Sequence, residues 1–381
     1  MSLDRGGAID TSRGNSQALA SLYQLISKDI TALEEFLHGE FASTEPFVNE
    51  LLEHLSRFQG KQVRPACLFL SGRCFGEIGN DHIKCAAVVE LIHTETLVHD
   101  DLLDEAQIRR RVETIHCRYG DRAAILLGDI IYARGFVIST EVENAARLLA
   151  NCTMEICIGE MMQVGNAGNL QLLEQQYFEI IHRKTAILYG LACRLGAMLA
   201  GATEDQAAAM EQFGNQLGVA FQIIDDVLDY GGTTSVIGKS VGDDFRECKI
   251  TLPVIVAKRR GSDEDRLFWD RAMNSETQQD ADLAHAVHLI RATGAADATV
   301  QEAEAYAALA KGALGAGLAF ADRFGLVKDG WNGFNVLHFS AARMGGLMLG
   351  FAQQGGMADI AQAKPKVVIS LGADEMDFEP F

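Results

Sequence analysis

Two aspartate clusters, 125 residues apart, constrain this chain more than any other feature: Asp100-Asp101-Leu102-Leu103-Asp104 and Asp225-Asp226-Val227-Leu228-Asp229. Each is a DDxxD run inside apolar helical sequence, LIHTETLVHDDLLDEA and LGVAFQIIDDVLDY. A helix advances about 100° per residue, so the first and fifth positions fall about 40° apart on one face. Each cluster therefore directs at least two carboxylates to one point. Carboxylates are costly to bury unpaired and repel one another at close range. Something positive must sit between them, and Mg²⁺, which takes carboxylate and phosphate oxygens and keeps several waters, meets that need. Two such clusters facing each other would cage a polyphosphate. Alone, a DDxxD run reads more simply as a solvated acidic face; the basic groups described below displace that reading.

Composition points to helices. Only 5 prolines occur in 381 residues, and alanine, leucine, glutamate and glutamine are common. The expected fold class is all-α, a large bundle of antiparallel helices around a deep central cavity. A net charge of −19 argues against nucleic acid as a partner, and means that an anionic substrate must be captured by a local basic patch or by metal. No stretch reaches the ~18 apolar residues of a spanning helix, and the N-terminus lacks a secretory pattern. The eight cysteines form no CxxC pair and have no histidine at zinc spacing, so they read as reduced thiols of a cytoplasmic protein.

Residues 1–15 are polar and expected to fray. Helical periodicity then fills 16–316, with breaks at 60–65, 76–81, 165–169, 201–205, 231–240 and 261–265, short enough for antiparallel neighbours. Residues 185–200 and 213–228 are apolar nearly all round and belong inside the bundle. From 317 to 381 the character changes. Residues 326–360 are rich in glycine and aromatics, and 364–373 (KPKVVISLGA) reads as one buried parallel strand without a ladder partner.

Basic groups fall where an anion site needs them. Gly60-Lys61-Gln62-Val63-Arg64-Pro65 opens a helix, whose N-terminus favours anions. His93 lies two turns before Asp100 on the same side of one helix, and Arg109 and Arg110 follow the first cluster directly. Lys184-Thr185 opens an apolar helix, Gln222 precedes the second cluster, and Lys239 and Lys249 flank Gly242-Asp243-Asp244.

In these residues the chain resembles the trans-isoprenyl diphosphate synthases (polyprenyl synthetases) over about 20–316. GKQVRP, ELIHTETLVHDDLLDEAQIRR, GDIIYARGF, GEMMQ, HRKTA, FQIIDDVLDY and GKSVGDDFRECKITLP occur in that family's order. The resemblance implies condensation of isopentenyl diphosphate with an allylic prenyl diphosphate, about three Mg²⁺ per site, and a homodimer. It implies that Lys61, Arg64, His93 and Arg110 hold isopentenyl diphosphate, and that Arg109, Lys184, Lys239 and Lys249 contact the allylic diphosphate. Asp100, Asp104 and Asp225 would ligate Mg²⁺, with Asp101 and Asp229 assisting directly or through water. Thr185 and Gln222 would steady the allylic cation. Two residues depart from the family pattern: Gln62, where a basic residue is usual, and Arg111, where glycine is usual. Product length in the family depends on the residues one turn before the first cluster. Here these are Glu95 and Thr96, with no aromatic plug, which favours long products.

The tail, about 322–381, resembles an internal segment of the large iron–sulfur subunit of bacterial NADH-quinone oxidoreductase, through DGWNGFNVLHFSAARMGGLMLGF and KPKVVISLGADEMDF. It lacks cluster cysteines, the last cysteine being Cys248. The final helices typical of the synthase family have no evident counterpart, so the chain reads as a synthase joined to a foreign piece. Two rivals remain at this level: a terpene cyclase of the same fold, which would not need a second diphosphate site, and a non-catalytic subunit.

Overall fold

The computed structural model describes residues 11–40, 43–58, 60–231 and 242–316, with four short strands at 327–328, 331–332, 336–340 and 369–372. Helix α1 spans Thr11–Glu40, followed by α2 (Pro46–Ser56), α3 (Val63–Phe75) and α4 (Asn80–Leu103). A two-stranded hairpin, β1 (Ile108–Arg109) and β2 (Val112–Glu113), leads to α5 (Ile115–Tyr119), α6 (Asp121–Ser139) and α7 (Ala145–Gly165). Next come α8 (Glu174–Ile181), a π turn (His182–Ala186), α9 (Ile187–Leu199) and α10 (Glu204–Gly231). The bundle closes with α11 (Asp243–Arg246), α12 (Leu252–Arg260), α13 (Asp263–Ala272), α14 (Asp282–Ala292) and α15 (Ala295–Ala316). The all-α expectation holds for the bundle.

The centre consists of α3, α9 and α10, with α10 packed along α9 and α15, and α9 along α3. Nearly every residue of α3 is buried, as are Leu188 to Cys193 of α9. This is the signature of helices apolar all round, which lie inside a bundle. Two buried threonines around this core are satisfied locally: the Thr153 hydroxyl of α7 and the Thr299 hydroxyl of α15 donate one turn back to Leu149 and Ala295, at 3.0 and 2.9 Å.

Glycine and capping signals placed most boundaries: α7 ends at Gly165, α10 at Gly231, and Ser262 caps α13 with its hydroxyl accepting from the Asp265 amide. Helix α1 begins at Thr11, earlier than the expected 16, because extending an existing helix adds a hydrogen bond for each residue fixed. The hairpin and the π turn were not anticipated. Beyond the bundle, β3 (Val327–Lys328) pairs with β4 (Trp331–Asn332), and β5 (Val336–Ser340) pairs in parallel with β6 (Ile369–Gly372). The strand read at 364–373 is therefore parallel as expected but does have a partner, supplied by the glycine- and aromatic-rich stretch before it.

Candidate active site

Both aspartate clusters open on one cavity. Asp100 and Asp104, at the C-terminal end of α4, share its wall with Asp225 and Asp226 of α10, Asp244 of α11 and Glu160 of α7; its volume is about 390 Å³. Lys249 spans the two sides: it follows α11, yet its Nζ donates to Asp104 Oδ2 at 3.0 Å and also meets Glu247. Lys184 Nζ bonds the Gln163 amide oxygen at 2.6 Å, pairs with Glu160 and lies 3.8 Å from Asp100 Oδ2.

Local structure explains how Lys184 and Thr185 both reach this wall. Successive residues of a regular helix point about 100° apart. The π turn His182–Ala186 interrupts that spacing, as such turns often do at functional sites. Two glycines let neighbouring helices close on it. A Cβ on Gly159 of α7 would lie 2.6 Å from the Lys184 amide nitrogen, and one on Gly218 of α10 would lie 2.5 Å from Ala186 Cα.

The three aspartates of each cluster do not share one task. In the first, Asp100 and Asp104 line the cavity, while Asp101, 3% exposed, receives the Arg109 Nε–H at 2.7 Å. In the second, Asp225 lines the cavity. Asp226 accepts from the Tyr177 hydroxyl at 2.6 Å and from Gln222 Nε2 at 2.8 Å. Asp229 is absent from the cavity wall; its carboxylate accepts the backbone N–H groups of Gly242, Asp243 and Asp244 at 3.1, 3.2 and 3.0 Å, pinning the chain that follows α10. The sequence had counted Asp229 among metal ligands; the fold commits it to α11. Asp101, expected to assist in the chemistry, is likewise absent from the cavity wall, with its Oδ1 bonded to Arg109.

The electrostatics are those of an acidic site short of cations. Burial, with the charges of Asp244 and Asp243 nearby, pushes Asp229 up to about 9. Burial raises Glu247 to about 7 against the pull of Lys249. Burial lifts Glu160, Lys184 pulls it down, and Asp100 adds to the rise. Burial works against the Lys184 ammonium, but the charges of Asp100 and Glu160 outweigh it and hold the group above its usual range. Among the described residues, no three His, Cys, Asp or Glu side chains are grouped closely enough to hold a metal ion by themselves.

A second cavity of about 650 Å³ adjoins the first, and Arg64, His93 and Leu97 line both. Arg64 lies over the Tyr189 ring at 4.6 Å. Arg110 lines this second space, donates to the Phe58 carbonyl and rests on Gly60, where a Cβ would come within 2.8 Å of its guanidinium. Lys61 is half-buried between Gly60 and Gln62, both of which line the same space, and its carbonyl accepts from Tyr23. Thr185 and Gln222 lie on the first cavity and bond each other at 2.8 Å. Lys239 lies outside the described residues.

Several site residues were not assigned from sequence. Glu160 and Gln163 stand three residues apart on one face of α7, a spacing that was visible in GEMMQ. Tyr177 and Glu247 gave no signal at all. Glu95, a carboxylate in apolar surroundings, finds His99 one turn on, with Nδ1 2.9 Å from Oε1, while its Oε2 is buried without a hydrogen bond. His99 fits there because residue 128 is glycine; a Cβ at that position would collide with its ring.

Comparison with known proteins agrees with this arrangement. A family model described as polyprenyl synthetase matches residues 45–290. Octaprenyl diphosphate synthase of Haemophilus influenzae is 34% identical over 266 residues, 69% of this chain and 81% of that protein. The crystal structure of a decaprenyl diphosphate synthase from Rhodobacter capsulatus shares 38% identity with a TM-score of 0.73, covering 78% of this chain and 92% of that one. A polyprenyl synthase from Caulobacter crescentus, crystallised with calcium and isoprenyl diphosphate, shares 36% identity with a TM-score of 0.75, covering 82% and 93%. A likeness that extends over most of both chains and takes in both aspartate clusters makes this protein a member of the polyprenyl synthetase family, an all-helical prenyltransferase.

Proposed function

We propose that this protein condenses isopentenyl diphosphate with an allylic prenyl diphosphate, using Mg²⁺, to give a longer all-trans polyprenyl diphosphate and pyrophosphate. The observation that carries this reading is the meeting of carboxylates from two distant DDxxD segments with Lys184 and Lys249 on one cavity. The donor set suits a hard divalent cation, since it is all carboxylate oxygen. Asp100, Asp104 and Asp225 would hold about three Mg²⁺ together with diphosphate oxygens and water. When bound, the metal neutralises charge on the departing diphosphate. A similar structure, that of the Caulobacter protein, was obtained with calcium and isoprenyl diphosphate.

The chain's own residues do the rest. Lys184, Lys249 and Arg109 neutralise the allylic diphosphate as its C–O bond ionises. Arg64, His93, Arg110 and Lys61 hold isopentenyl diphosphate from the adjoining cavity, with its double bond directed at the allylic carbon. Thr185 and Gln222 turn oxygen dipoles toward the cation, and Ile180, Ile181 and Phe221 keep water away from it. The Glu95–His99 pair limits product length: a small space lined by Val88, Leu91, Ile92 and Ile131 begins one turn behind it along α4. The active unit is a homodimer formed through the apolar faces of α6 and α7, where Leu126, Phe136, Val137, Met161 and Val164 are each about half or more exposed. Among the described residues no helix is long and apolar enough to cross a membrane, in keeping with a cytoplasmic place of action. The segment after 317 is of separate origin.

Incubation with isopentenyl diphosphate and farnesyl or geranylgeranyl diphosphate tests the reading, with products separated by mass. Longer prenyl diphosphates are expected, and Asp100→Ala should abolish them. No product from any allylic primer, with folded protein, would overturn it.

A further inference from the structure

The hydrogen bonds behind the cavity wall form a directed chain. The Tyr177 hydroxyl donates to Asp226 Oδ2 at 2.6 Å, Gln222 Nε2 donates to Asp226 Oδ1 at 2.8 Å, and Thr185 Oγ1 donates to Gln222 Oε1 at 2.8 Å. Tyr177 and Asp226 are 2% and 3% exposed, and all four residues border the cavity that holds the carboxylates.

A glutamine amide has a donor end and an acceptor end, and its neighbours decide which way it faces. Asp226 Oδ1 accepts from the NH₂ end of Gln222, whose oxygen is thereby turned to Thr185. Thr185 then directs its one hydroxyl proton at Gln222, and the lone pairs of both oxygens are left for the cavity. At these two residues the wall offers the negative ends of two dipoles. The arrangement survives a proton on Asp226 Oδ2, because the Tyr177 oxygen can accept it. Reversing the amide would set the Gln222 oxygen against a carboxylate oxygen and turn a donor toward the reacting centre.

We infer that Tyr177 and Asp226 are positioning residues, which hold Gln222 and Thr185 with their oxygens toward the allylic cation. On the motif alone, Asp226 would be grouped with the metal-binding carboxylates; here each of its oxygens serves a neighbouring side chain. The inference rests on the prenyltransferase reading of the cavity.

Two unreactive probes separate the roles. One is an allylic thiolodiphosphate, which has no charge at the reacting carbon. The other replaces that carbon by an ammonium centre and is supplied with pyrophosphate and Mg²⁺. Calorimetric titration of the full chain and of Tyr177→Phe should show the ammonium probe bound about tenfold more weakly by the variant, the loss of one hydrogen bond in the chain. The thiolodiphosphate should keep its affinity within about twofold, and kcat should fall by about the same tenfold while both KM values hold. Asp226→Asn should show the same split, enlarged to about a hundredfold. Equal losses for both probes in Tyr177→Phe, or no loss for either, would overturn the inference. If Asp226→Asn does not fold, Tyr177→Phe still decides, since it removes one oxygen and keeps the ring. A wild-type protein that neither binds the thiolodiphosphate nor turns over would instead overturn the prenyltransferase reading itself, and this inference with it.

Discussion

The two aspartate clusters share a five-residue pattern but divide their labour differently. In the first, two of three carboxylates reach the cavity and the third is held by Arg109. In the second, Asp225 faces the cavity, Asp226 serves Tyr177 and Gln222, and Asp229 ties down the following chain. The difference follows from position. Both clusters lie at the C-terminal end of a helix, but Asp104 sits at the C-cap, open to the cavity, whereas Asp229 is still inside α10, two residues before its end, and meets the backbone of the chain that returns at 242–244. Asp226, buried within α10, must find donors of its own. The same motif is therefore mainly a ligand set in one place and half scaffold in the other.

The sharpest way to break that contrast is to neutralise the cavity-facing groups. Asp100→Asn and Asp225→Asn should each lower kcat by about 10²–10³-fold, the scale of losing a preorganised electrostatic group. Asp225→Asn should not lower the thermal midpoint, since it relieves repulsion with Asp226 and Asp229. A variant retaining more than about a tenth of wild-type turnover would remove its cluster from the chemistry.

Scaffold aspartates should behave the other way. Asp229→Ala leaves three backbone N–H groups without their acceptor and should cost about 2–3 kcal/mol in urea unfolding. Asp225→Ala should cost less than about 1 kcal/mol. Equal losses would erase the distinction.

pH offers a gentler test. Glu247 binds its proton more tightly folded than unfolded, with a folded value of about 7. Its contribution is complete below the ordinary glutamate range and is lost as pH rises through about 7. Asp229, at about 9, extends the decline. The metal-free protein should therefore melt at a lower temperature at about pH 8 than at about pH 6, and Mg²⁺ should flatten the slope. A metal-free midpoint that rises over this range would contradict the charge balance described above.

The smallest effect concerns the chain after each cluster. The second cluster is followed by a segment anchored on Asp229, the first by a hairpin whose turn residues, Arg110 and Arg111, both have positive φ (49° and 64°). Such a turn suits glycine, and a left-handed residue with a Cβ costs roughly 1–2 kcal/mol, partly offset by the greater freedom of unfolded glycine. Arg111→Gly should raise unfolding stability by up to about 1 kcal/mol, read from denaturant midpoints. A loss would mean that the interactions of the Arg111 side chain outweigh its backbone strain.

Much of this molecule was legible in its sequence. Segments apolar all round foretold the buried α9 and α10, though not α3, and glycines marked the helix ends. The spacing of Asp100 and Asp104 foretold a shared face, because helical geometry is local and fixed. The hairpin at 108–113 was not foreseen, since its turn residues are arginines where a glycine signal would be expected. Nor was the π turn, whose register depends on Gly159 and Gly218 of other helices. Lys61, Arg64, His93 and Arg110 were picked out together, and the fold places Arg64, His93 and Arg110 on the second cavity with Lys61 beside its wall but not lining it, yet nothing local indicated that Arg110 would lie across Gly60.

By itself the sequence determined the helical class, the core helices and the pair of acidic faces, because periodicity and charge spacing act within one helix. Which carboxylates face the cavity, and which are turned to Arg109, Tyr177, Gln222 or the backbone of α11, was decided only by tertiary structure. Most of those donors are brought from 8 to 49 positions away along the chain, and a buried carboxylate goes where its hydrogen bonds can be met.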